Sequence, residues 1–264
     1  MSDFYSKKYA EIATVQTIMG KRLLKMLDFS DVKSVLDFGC GDARHSIAIA
    51  TEYSAIKVDG FDASTDLIRL ANENKTQLML SNVNFWVEDA NSFYREDDYD
   101  IVFCNFVIHW VGPQCFKIIG TALKNGGQFV ASISGGVNGK GSTPELREVI
   151  WRKIEEFGYD KYFTEWDDKR YNPNQDMVET ELRKAGFNLF QVVSETRNNL
   201  DLPNEKTPKE IYEAELVTTL PPYYAKLRNE EERKQLYESV LSCFLEEKTP
   251  ITNVDIVIQA RKKI

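Results

Sequence analysis

Between residues 34 and 134 the chain alternates short apolar runs with stretches of helical spacing, and this alternation restricts the fold more than any other feature. The runs are 34–38, 56–61, 83–87, 100–106 and 128–134; segments 43–51, 65–74 and 113–124 carry apolar residues at three- and four-residue steps. Strands that are apolar along nearly their whole length, separated by helices, call for a parallel sheet covered on both faces. Pro113 suits a first helical position, and Asn125-Gly126-Gly127 reads as the stop of that helix. Ahead of the sheet, 9–27 reads as a helix with Ile12, Val15, Met19, Leu23 and Met26 along one face.

Beyond residue 135 the pattern changes. Thr143-Pro144 opens a helix bearing Leu146, Ile150, Ile154 and Phe157 and stopped by Gly158, followed by an aromatic stretch of Tyr159, Tyr162, Phe163, Trp166 and Tyr171. A helix at 174–185 ends at Gly186 and feeds a strand from Asn188. Thr207-Pro208-Lys209-Glu210 has the form of a capping box. A charged amphipathic helix runs over 230–246, with the charge-rich run 229–234 as a solvated face, and 252–260 alternates as a final strand. Two helical insertions, 135–172 and 201–250, thus interrupt the second half of one α/β domain.

A chain of 264 residues, 42% of them hydrophobic, can bury a sizeable single core. Its formal charge of −8 repels phosphate backbones and anionic membrane surfaces, so neither nucleic acid nor membrane is expected as a partner. Four cysteines without a Cys-x-x-Cys pair, no apolar leader and no long apolar span lead us to expect a reduced, cytoplasmic protein. His45 and His109 are the only histidines, and neither has a ligand-spaced partner, so no metal is expected.

The chemistry concentrates where strands end. Val35-Leu36-Asp37-Phe38-Gly39-Cys40-Gly41 runs from a buried strand into a tight glycine turn, and glycines there allow positive φ and close approach of a ligand. The dinucleotide pattern Gly-x-Gly-x-x-Gly fails, because Arg44 occupies the third glycine position. Asp37 sits awkwardly for a pyrophosphate and well for a ligand carrying positive charge. At the end of the second strand Asp62, followed by Ala63 and Ser64, is placed to accept both ribose hydroxyls, with Ser64 capping the next helix. Glu88-Asp89-Ala90 follows the third strand, where a carboxylate can receive an adenine amino group. Any one of these acids alone reads equally well as a cap or turn residue; three in succession around a glycine turn point to a nucleoside ligand.

The fourth strand ends in Asn105-Phe106-Val107-Ile108-His109-Trp110-Val111. With these ordered signals the sequence resembles class I S-adenosylmethionine (SAM)-dependent methyltransferases, in particular the group acting on trans-aconitate, juvenile hormone acid and malonyl-carrier-protein carboxylates. The resemblance covers 5–134 well and the remainder more loosely. It implies a Rossmann-like α/β fold with a mostly parallel seven-stranded sheet, helices on both faces, an N-terminal lid helix and a helical cap from the insertions. In these terms, 1–264 is one methyltransferase domain, with the lid helix in 1–30, the SAM-binding core in 31–134 and the cap in 135–172 and 201–250. Carried over by position, Asp37, Gly39, Cys40 and Gly41 surround the methionine part of SAM. Asp62 and Ala63 hold the ribose, Asp89 and Ala90 the adenine, and Asn105 lies beside the cofactor. His109, Trp110 and Gln16 face the acceptor as catalytic-side residues, with S-adenosylhomocysteine as the spent cofactor. The family's further glycine after the second is replaced here by Asp42-Ala43.

The expected reaction is O-methylation of a small carboxylic acid with an apolar body. C- or N-methylation of another metabolite with His109 as base is the alternative on the same scaffold. A nicotinamide-dependent oxidoreductase and a SAM-binding protein without catalysis are the readings from other classes. His109 by spacing alone reads rather as a packed histidine bonded to the backbone, and its place in the resemblance brings the substrate-side reading level with that one. The absence of an Asn/Asp-Pro-Pro-Tyr signature after the fourth strand disfavours exocyclic-amine methylation.

Overall fold

A computed structural model describes residues 14–136, 143–164, 170–201 and 207–264. Its strands are β1 (Ser34–Phe38), β2 (Lys57–Asp62), β3 (Val83–Val87), β4 (Tyr99–Asn105), β5 (Leu123–Gly135), β6 (Phe187–Asn198) and β7 (Thr252–Lys262). They form one sheet in the order β3-β2-β1-β4-β5-β7-β6. β1 pairs in parallel with β2 and β4, β2 with β3, and β4 with β5. The chain builds outward from β1 to β3 and then returns to lay β4 on the other side of β1. The carboxyl ends of β1 and β4 therefore flank the point where strand order reverses, the place where open α/β sheets receive ligands.

Helices α1 (Thr14–Leu24), α2 (Arg44–Glu52) and α3 (Thr65–Gln77) cover one face. Val35, Ile49, Ala50, Val58, Ile68, Ala71 and Ile101 form one cluster there, and Met19 and Leu23 pack with Phe103, Val130 and Val257 in another. After β4 come the short α4 (Ile108–Val111) and α5 (Gln114–Ala122), whose Phe116 meets Phe129 of β5 from the other face. The helix that the sequence reads over 113–124 is α5, with Pro113 at its N-cap after Gly112, at φ +111°, has closed α4. It stops at Ala122 rather than at 124 because Leu123 already pairs with Tyr99.

Two compact units emerge. The first comprises Met1–Gly135, Arg170–Glu195 and Asp255–Ile264, and so holds most of the sheet, α1 to α5 and α7 (Gln175–Lys184). The second comprises Gly136–Lys169 and Thr196–Val254. In it α6 (Pro144–Glu156), α8 (Pro208–Thr219), α9 (Pro221–Tyr224) and α10 (Glu230–Glu247) enclose their own core, including Leu146, Ile150, Tyr212, Leu216, Leu236, Val240 and Phe244. The capping box at Thr207 and Glu210 forms as the sequence indicates. In the run 229–234 Asn229, Glu230, Glu231 and Lys234 are exposed as a solvated face requires, whereas Glu232 is buried and accepts from the Arg228 guanidinium at 2.7 and 3.0 Å. No helix among the described residues is long and apolar enough to cross a membrane.

Candidate active site at the ends of β1, β2 and β4

β1 is fully buried from Val35 to Phe38, so Asp37 enters the interior with its strand and is 2% exposed. Its carboxylate accepts the Ser46 hydroxyl of α2 at 2.5 Å. Burial pushes the Asp37 pKa up to about 7, against the pull of the Ser46 hydrogen bond and with the help of the nearby Asp62 and Asp42 charges. A carboxyl in that state gains from a cation brought beside it.

The chain then turns through Gly39 at φ +77° and Gly41 at φ +57°. The two glycines serve different ends. A Cβ on Gly39 would lie 2.4 Å from Cγ2 of Val107, so its absence lets the turn after β4 close against the turn after β1. A Cβ on Gly41 would meet nothing within 4 Å among the described residues, so the backbone there borders open space left by them. Cys40 between them donates its N–H to the Phe61 carbonyl at 2.8 Å, and burial pushes its thiol well above the ordinary range. Ala43 also adopts left-handed geometry, at φ 60° and ψ 19°. For a residue with a Cβ that conformation costs about 1–2 kcal/mol.

Asp62 at the end of β2 ties two turns together. One oxygen accepts the Gly41 N–H at 3.0 Å and the other the Ser64 N–H at 2.9 Å. Burial raises its pKa and these two bonds oppose the rise. Ser64 caps α3 through Leu67, as its position indicates, and Ala63 is exposed beside it. From β3, Glu88 donates its N–H to the Asp62 carbonyl at 3.1 Å, which brings this loop to the end of β2. Asp89 is exposed, its Oδ1 accepting the Asn91 N–H at 2.8 Å, while Ala90 is buried.

At the end of β4, Asn105 accepts the Ser132 hydroxyl at 2.7 Å and donates to the Gln16 carbonyl at 2.9 Å. Phe106 follows at φ +59°, an outlier for a bulky side chain, held by its N–H to the Ser132 carbonyl at 3.0 Å. This strained turn launches α4. His109 is buried at 7% exposure, with its ring centroid 6.2 Å from Phe106 and 5.3 Å from Trp110. Trp110 is half exposed, and the Arg170 guanidinium lies over its ring at 5.1 Å. The Tyr171 N–H donates to the His109 carbonyl at 2.9 Å and so staples Arg170 beside α4.

Hydrogen bonds thus join Asp62 to the glycine turn, Asp37 to Ser46, and Asn105 to the Gln16 main chain, as separate pairs, and ring contacts join Phe106, His109 and Trp110. Sequence reasoning missed Ser46, Ser132 and Arg170. Ser46 had a signal, a small polar residue among Ala43, Ile49 and Ala50 on the buried face of α2. Arg170 had none, because its approach to Trp110 is wholly tertiary. Among the described residues no three His, Cys, Asp or Glu side chains gather to hold a metal ion.

Comparison with known proteins places residues 29–156 in a match to a family model described as a methyltransferase domain. A malonyl-[acyl-carrier protein] O-methyltransferase of Ilyobacter polytropus is 28% identical over 166 residues, 62% of each chain. A trans-aconitate 2-methyltransferase of Afipia carboxidovorans is 27% identical over 131 residues, 48% of each chain. The chain thus spans about half to three fifths of the length of these curated relatives. Phosphoethanolamine N-methyltransferase 2 of Haemonchus contortus, solved with SAM, superposes with a TM-score of 0.63 at 18% identity, covering 100% of this chain and 58% of that one. That last likeness is one of fold. The likeness to methyltransferases is carried by sequence over 29–156, and the seven-stranded sheet shares its fold with the solved neighbour.

Proposed function

We propose that this chain transfers the methyl group of SAM to a small acceptor, and that the acceptor is a carboxylic acid. The observation that carries the reading is the bare, positive-φ backbone of Gly41, bordering open space and bonded to Asp62 at the β1/β4 crevice. The residues present fit SAM. The buried Asp37 is favoured by a nearby cation such as an amino group or sulfonium, and the Asp62 oxygens can accept hydroxyls besides the N–H bonds they receive. In this reading Asp37, Gly39, Cys40 and Gly41 line the methionine part, Asp62 and Ala63 hold the ribose, and Asp89 and Ala90 meet the adenine.

SAM supplies a methyl group already activated on sulfur, so the protein's contribution is alignment and exclusion of water. A carboxylic acid with a pKa near about 4 is ionised at neutral pH, and attack by its oxygen needs no base. His109, Trp110 and Gln16 orient it. The relatives named for malonyl and trans-aconitate acceptors support an acid, and the aromatic surroundings of His109 suit one with an apolar body. The four cysteines are free thiols, in keeping with a reducing, cytoplasmic setting. The second reading, C- or N-methylation with His109 as base, draws on the burial of that imidazole beside the reacting end of β4.

The test uses methyl-labelled SAM with trans-aconitate, fatty and isoprenoid acids and a malonyl thioester. Label released as methanol by mild alkali identifies an ester. An alkali-stable product selects the second reading, and no transfer to any acid removes the carboxylate assignment.

A further inference from the structure

Helix α1 is held in two different ways along its length. Its rear half is buried by apolar contact, through Met19 and Leu23. Its front half is held by polar bonds from residues at both lips of the β1/β4 crevice. Asn105, at the end of β4, donates from Nδ2 to the Gln16 carbonyl at 2.9 Å. Arg44, just past the glycine turn, donates from Nη1 to the Thr17 hydroxyl at 2.6 Å. Each donor is itself anchored. The Asn105 oxygen accepts the Ser132 hydroxyl at 2.7 Å, and Arg44 reaches Asp42 of the turn through Nε at 2.9 Å and Nη2 at 2.5 Å. Within the rear half Gly20 lies on the His45 ring so closely that a Cβ would fall 2.2 Å from Cε1. The front of α1 is thus bonded both to a residue that follows β1 and to one that ends β4.

We infer that Arg44 and Asn105 are positioning residues that clamp the front of α1 across the cofactor crevice and so set how fast the cofactor leaves. The inference rests on the SAM reading of the crevice. Asn105 acts here through the helix, because both ends of its amide are committed, to Ser132 and to Gln16. Polar bonds of this kind are individually modest, whereas the apolar seat of Met19 and Leu23 is cumulative. The front half therefore lifts while the rear stays docked. Arg44 is the residue that breaks the dinucleotide glycine pattern, and the clamp gives it a positive use.

Two variants of the full chain test this. Asn105→Asp keeps an acceptor for Ser132 and removes the donor to Gln16. Thr17→Val removes the hydroxyl that accepts from Arg44 Nη1 and leaves every crevice residue in place. In each, amide hydrogen exchange of α1 is expected to accelerate about tenfold while β1 and β4 stay protected, as for a local opening. SAM dissociation, followed by stopped flow, accelerates by about tenfold with association nearly unchanged, the usual partition for a lost contact. Unchanged exchange in α1 overturns the clamp, as does acceleration shared equally by β1 and β4. Faster α1 exchange with unchanged SAM dissociation overturns its role in retention. Failure of the SAM reading shows separately, as a wild-type chain that binds no SAM, while the exchange measurement still decides whether the clamp exists.

Discussion

The carboxylate of Asp62 accepts the main-chain N–H of Gly41 at 3.0 Å, so a side chain ending β2 shapes the turn that ends β1. Its other oxygen holds Ser64 at the start of α3. Asp62→Ala leaves both amides without that acceptor, and the expected loss is about 1–3 kcal/mol of stability. SAM affinity should fall by about tenfold or more as the ribose contacts disappear as well. Urea titration and calorimetry read the two quantities; a stable variant with unchanged affinity would remove Asp62 from the ribose site.

The two glycines of the turn should respond differently to alanine. Gly39→Ala meets Val107 and positive φ together, for a loss of about 2–5 kcal/mol. The double variant Gly39→Ala with Val107→Ala should be less destabilised than the two singles summed. Gly41→Ala meets positive φ and empty space, for about 1–2 kcal/mol. Its methyl group fills the space assigned to the ligand, so SAM affinity should drop by at least about tenfold. Thermal unfolding beside calorimetry separates the cases, and a Gly41→Ala chain that binds SAM normally would place the ligand elsewhere.

The sheet was legible because each strand carries its own evidence. β1 and β3 have the expected bounds, since apolar runs bounded by polar turns leave little choice. Pro113 marked where α5 starts, but its end at Ala122 was hidden, and only the pairing of Leu123 with Tyr99 shows where that helix must stop. The acids at strand ends were visible as a series. The use of Gln16 was not: the sequence directs attention to its side chain, whereas its main-chain carbonyl receives Asn105. Arg170 and Ser132 escaped for the same reason, since their partners lie far away in sequence.

Asp37 links cofactor binding to protons. Its pKa is about 7 in the fold against an ordinary 3.8, so between these values the folded chain keeps a proton that the unfolded chain has lost. Its burial therefore costs stability progressively as pH rises through that window, and the full cost is present above it. His45, lowered to about 4 chiefly by burial and next by Arg44, has the opposite slope, costing stability as pH falls from 6.5 through 4. Asp37→Asn should thus leave a chain whose urea midpoint falls more steeply than wild type as pH drops over that range. A cation bound beside Asp37 lowers its pKa, so SAM binding near pH 6.5 should release up to about one proton. Calorimetry in buffers of different ionisation enthalpy measures this, and identical heats in all of them would contradict it.

His109 separates the two reactions. With a carboxylate acceptor, His109→Gln should lower kcat by less than about tenfold, because no proton is removed. A loss of about 10²–10⁴ with a pH profile that follows an imidazole would mark His109 as a base. Steady-state rates on the accepted substrate across pH decide it.

The Arg170 guanidinium lies over the Trp110 ring, and Trp110 lies beside His109. For an anionic acceptor, Arg170→Gln should raise KM by about tenfold and leave kcat largely unchanged. Trp110→Phe, which keeps an aromatic face for the guanidinium, should stay within about threefold of wild type. Equal losses in kcat and KM effects absent from Arg170→Gln would show that the pair only packs.

The central claim is that the crevice between β1 and β4 receives SAM. Isothermal calorimetry of the full chain with SAM, S-adenosylhomocysteine and NAD tests it most directly. The account predicts one SAM per chain, comparable binding of S-adenosylhomocysteine and much weaker binding of NAD. A folded chain that binds NAD more tightly than SAM, or takes up no SAM, would contradict it.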